Sequence, residues 1–83
     1  MPTPNSDLPQ RNREDLLPAA HRKSWAELLE RIRQADRAGD KAAIQREEHY
    51  GFGFLRAIYE AGSLGPGDVP ELRDLLISPK LRA

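Results

Sequence analysis

The stretch His49-Tyr50-Gly51-Phe52-Gly53-Phe54-Leu55-Arg56-Ala57-Ile58-Tyr59-Glu60-Ala61-Gly62 decides how the chain is read. It holds both phenylalanines, both tyrosines and three of the six glycines. At 100° per residue, Ala43, Ile44, Tyr50, Gly51, Phe54, Leu55, Ile58 and Ala61 form one apolar arc, with Phe52 and Tyr59 at its margin. Gln45, His49, Arg56 and Glu60 hold the narrow polar side. The arc is wider than the apolar stripe of about 100° that a surface helix shows. The stretch therefore reads as the second half of a long helix at the centre of a small all-α domain.

Working outward, Gly62 and Gly39 are suited to end helices, because glycine takes the left-handed cap conformation without a Cβ clash. Asp40 suits the N-cap of the central helix. A link of Gly39 and Asp40 alone makes the neighbouring helices an antiparallel hairpin, at residues 18–38 and 41–61. In the first helix Leu17, His21, Trp25, Leu28, Leu29, Ile32 and Ala35 recur at spacings of three and four. Pro18 fits its first position, although Ser24 and Glu27 also read as a capping box. Beyond the Ser63–Gly67 loop, Asp68 and Glu71 give a second capping-box pattern. A short third helix follows at residues 69–77, with Val69, Leu72, Leu75 and Leu76 on one face, and Ser78-Pro79 stops it.

Residues 1–17 read as a flexible tail carrying Pro2, Pro4 and Pro9. Within it, Arg13 to Leu17 can form one helical turn anchored by Leu16 and Leu17. Residues 18–83 form the single domain. At 83 residues without cysteine, stability must come from helix packing or oligomerisation.

Thirteen basic and thirteen acidic residues leave a formal net charge of zero. Such a chain has no whole-molecule field to attract nucleic acid or an anionic membrane. No window approaches a membrane span and the N-terminus has no apolar leader region, so the expected location is cytoplasmic. The three serines have structural contexts, and the glycines lack the strand-then-helix setting of a phosphate loop. Glu47, Glu48 and His49 are adjacent, but consecutive helix positions diverge by about 100° and do not converge on a metal. No cofactor or metal is expected, and the chain does not read as an enzyme. Glu47 lies inside the apolar arc, where either a salt bridge to an arginine of the first helix or exposure near the hairpin turn would accommodate it. His21 reads as a partly buried packing residue.

An interior helix glycine costs about 1 kcal/mol relative to alanine. At Gly51 that cost points to a close helix crossing rather than a break, since periodicity survives on both sides. The first helix covers only part of the arc. What remains predicts association, with a second copy of the chain as the economical cover. The expected interface is Gly51, Phe52, Phe54, Ile58 and Tyr59. The function read from these features is a small interaction module, a homodimer regulating or inhibiting a larger protein. The competing reading is a small nucleic-acid-binding regulator. It would contact phosphates through Arg11, Arg13, Arg22 and Lys23, although Glu71 and Asp74 on the third helix would repel them.

Overall fold

The apolar stripe that begins near Leu17 becomes helix α1 (Ala19–Arg37), and the aromatic stretch becomes the second half of helix α2 (Lys41–Glu60). Helix α3 (Asp68–Ile77) follows the glycine-rich loop. The structure is a computed structural model and describes residues 12–77. Among these there are three α-helices and no strand. The tail assigned to residues 1–11 and the stop at Ser78-Pro79 lie outside the described residues.

The α1–α2 link is as tight as the sequence requires. Gly39 has a φ of 69°. Its N–H donates to the Asp36 carbonyl at 3.0 Å, and the Asp40 N–H donates to the Ala35 carbonyl at 2.9 Å. Together these satisfy the last carbonyls of α1 in a Schellman arrangement. Asp40 then caps α2 by accepting the Ala43 N–H at 3.0 Å. The same arrangement recurs after α2. Gly62, at φ 80°, donates to Tyr59, and Ser63 donates to Ile58.

The helix starts differ from expectation. Pro18 stands at the cap, with an extended ψ of 145°, and α1 begins at Ala19. Ser24 and Glu27 lie inside α1 and cap nothing. The reciprocal pair expected from Asp68 and Glu71 does not form, because each side chain has another partner. Asp68 accepts the Gly65 N–H at 3.3 Å, and Glu71 accepts from Arg13. The Asp68 carboxylate therefore pins the loop, and α3 starts at Asp68 itself.

Residues 12–17, placed in the tail by the sequence reading, are instead a strap on the domain. Glu14–Leu16 form one 3-10 turn, and Leu17 is buried. The Trp25 indole N–H donates to the Asn12 carbonyl at 2.7 Å, and the Arg22 Nε–H donates to the Leu17 carbonyl at 2.9 Å. Arg33, only 6% exposed, donates to the Asn12 Oδ1. Two donors at either end of the strap thus satisfy backbone oxygens that would otherwise need water.

The core joins Trp25, Leu28, Leu29 and Ile32 of α1 to Leu55 and Ile58 of α2 and to Leu72, Leu75 and Leu76 of α3. Leu17 and Leu64 close it from the connections. Each such leucine or isoleucine contributes about 1.5–3 kcal/mol of burial. A three-helix core of this kind needs no disulfide to hold it.

Candidate functional site

The five residues expected to form an interface separate into three environments. Gly51 and Ile58 are buried. A Cβ built on Gly51 would lie 2.7 and 2.8 Å from the two methyl carbons of Leu76 and 3.1 Å from a Leu28 methyl. The close crossing expected at Gly51 is therefore real, but it is made by α3 of the same chain. The leftover apolar arc that called for a second copy at this point is covered by the short third helix. Gly51 is not available to a partner while α3 is docked.

Phe54 has the second environment. Its ring stacks on Trp25 with centroids 6.0 Å apart and meets the His21 ring edge-on at 5.9 Å. Tyr50 stacks on its other side at 6.3 Å. Edge-on and offset arrangements are the favoured ones for rings with negative faces and positive edges. Phe54 thus ties α2 to the start of α1, and His21 packs at the helix start as its place in the stripe implied. Arg31 seals this side twice. Its guanidinium carbon lies 5.9 Å from the Tyr50 centroid, and its Nε–H donates to Glu47 at 3.1 Å. Of the two accommodations open to Glu47, the structure shows the ion pair with an α1 arginine.

Phe52 and Tyr59 have the third environment, and they meet there. They line a groove of about 350 Å³ between α2 and α3, together with Leu55, Arg56, Val69 and Arg73. Leu55 forms its floor and is itself core. Phe52 and Val69 are half-buried walls, and Tyr59 is 45% exposed. The Arg73 guanidinium carbon lies 5.3 Å from the Phe52 centroid, in range of a cation–π contact. Arg56 stands on the opposite rim and donates to Glu60 at 2.8 Å. That hydrogen bond raises the Arg56 pKa above its ordinary value. Among the described residues no carboxylate forms an ion pair with Arg73.

Leu55, Arg56, Val69 and Arg73 are the groove residues absent from the expected interface. Val69 and Arg73 are four apart and so share one helix edge. The expected apolar face of the third helix contained Val69 but not Arg73. The signal was present in the spacing. What it lacked was the knowledge that α2 would lie beside that edge.

Of the four basic residues considered for phosphate contact, Arg13 and Arg22 are engaged within the fold. Arg11 lies outside the described residues. Arg13 is paired with Asp15 and Glu71, and the hydrogen bond to Asp15 is the main cause of its raised pKa. Arg22 holds the Leu17 carbonyl, and Lys23 is exposed. Among the described residues no group of three or more His, Cys, Asp or Glu side chains is placed to hold a metal ion. None of the described helices is long and apolar enough to cross a membrane. No protein-family model matches the chain, and no significant match was found among the curated proteins or the solved structures.

Proposed function

We propose that the protein is a non-enzymatic interaction module, acting in the cytoplasm, that regulates or inhibits a larger protein by docking it in the α2–α3 groove. The observation that carries this reading is the contrast within the aromatic stretch. Gly51, Phe54 and Ile58 are engaged by the chain's own helices, whereas Phe52 and Tyr59 stand together over an open groove. Large amphipathic side chains in such a setting are those that interfaces favour. Leu76 and Leu28 of the same chain cover Gly51, so a partner in the groove is not needed to bury it. Arg13 and Arg22 are engaged within the fold, which favours the protein-docking reading over phosphate contact by these two residues.

Site-specific photo-crosslinking in the native host tests the proposal. A photoreactive side chain at position 59 should yield a discrete protein adduct, and one at position 34, on the exposed face of α1, should not. Equal adducts from both positions, or none from position 59, would overturn the reading.

A further inference from the structure

We infer that the occupant of the α2–α3 groove is an acidic amphipathic helix of the partner protein. The inference rests on the proposed docking function and specifies the chemistry of what docks. Three observations converge on it.

The first is architecture. Among the described residues there is no strand, so no sheet edge is offered for strand addition. Two packed helices with a groove between them suit a second common mode, in which a third helix lays its apolar side along the groove. Such a helix would stand to α2 and α3 as a further member of the bundle. The second is the lining. Phe52, Leu55, Tyr59 and Val69 provide an apolar surface for anchor side chains at helical spacing. The third is charge. The two remaining lining residues are arginines, one contributed by each helix, and the lining contains no acid. Arg73 lies over Phe52, and no described carboxylate pairs with it. The Arg56–Glu60 pair has side chains 80% and 60% exposed, so it exchanges readily for another carboxylate. Aspartate or glutamate residues flanking the apolar anchors of an incoming helix would meet both rims. A basic helix would find no carboxylate in the lining and would meet Arg73 directly, with Arg56 held by Glu60 on the other helix.

Selection from a random-sequence peptide library displayed on phage, with the intact protein as bait, tests this without presupposing the partner. Selected peptides are then titrated into isotope-labelled protein and their contacts mapped by amide chemical shifts. The expected result is enrichment of peptides with acidic residues around apolar residues at spacings of three and four. Their shifts should centre on residues 52–59 and 69–73, and their affinity should fall as salt is raised. Arg73→Glu, at an exposed position, should weaken them about tenfold or more. The same variant should recover affinity for versions of the peptides with the acids replaced by lysine. Groove-binding peptides without acid enrichment, or indifferent to Arg73→Glu, would overturn the inference and leave the docking function standing. Peptides that map away from the groove, or no enrichment at all, would overturn both.

Discussion

Gly51 and Gly53 are two residues apart in one helix and have opposite physical roles. Gly51 is buried, with the Leu76 and Leu28 methyl groups filling the space a side chain would need. Gly53 is exposed, and a Cβ there would meet nothing within 4 Å. Both have ordinary helical backbone, so neither is retained for a special φ. The comparison shows that the two sides of α2 answer to different demands. The inner side is shaped by the approach of α3. The outer side carries no packing constraint, and between them runs the groove edged by Phe52 and Tyr59.

Substitutions on the two sides should separate accordingly. The largest effect is expected for Leu76→Ala, which empties the space over Gly51 and should cost about 2–5 kcal/mol in urea unfolding. The sharper observation is the double variant. An alanine at position 51 would place its methyl where the Leu76 methyls had been, so the two losses should fall short of additivity by about 0.5–3 kcal/mol. Full additivity would mean that the two positions do not touch. Next in size is Gly51→Ala alone. Overpacking costs about 1–3 kcal/mol, and the gain of about 1 kcal/mol in helix propensity offsets part of it. A net loss is expected because Leu76 and Leu28 are both fixed in the core. Gly53→Ala should have the opposite sign, a gain of up to about 1 kcal/mol from propensity alone. The smallest effect on stability is expected for Tyr59→Ala, within about 0.5 kcal/mol, because its ring stands over the groove and outside the core cluster. That variant should nevertheless lose the photo-crosslinked or selected partner. A Tyr59→Ala protein that unfolds more easily and still binds would reverse the assignment of core and groove.

The helices, the C-terminal caps of α1 and α2 and the N-cap of α2 were legible because local chemistry determines them, whereas the starts of α1 and α3 were not. The 3.6-residue period placed all three, and Gly39, Asp40 and Gly62 stand at the caps their conformational freedom and side chains suit. The ion partner of Glu47 was legible for a similar reason, since an acid inside an apolar arc beside an arginine-bearing helix has few alternatives. The strap was legible only as one turn anchored by Leu16 and Leu17, and its docking on α1 was not. Its contacts join Asn12 to Trp25 and Arg33 across 13 and 21 residues of sequence, and its polar composition gave no period to follow. In hindsight Arg22, Ala26, Leu29 and Arg33 form a second edge of α1 at helical spacing, with an arginine at each end and smaller side chains between. Such an edge can receive a chain segment. The candidate site was half legible. Phe52 and Tyr59 were identified from the aromatic stretch, but the arc alone could not say whether α3 or another molecule lies over Gly51. The helix wheel gives directions around one helix and says nothing of what occupies them.

The inner side of α2 is closed by α3 of the same chain. Urea unfolding of Gly51→Ala beside the unsubstituted protein, repeated over a wide range of protein concentration, tests it directly. A midpoint lowered by the same amount at every concentration is the predicted result, since an intramolecular contact does not depend on mass action. A midpoint that rises with protein concentration in the unsubstituted protein and ceases to do so in Gly51→Ala would contradict the claim. It would place a second copy of the chain over Gly51.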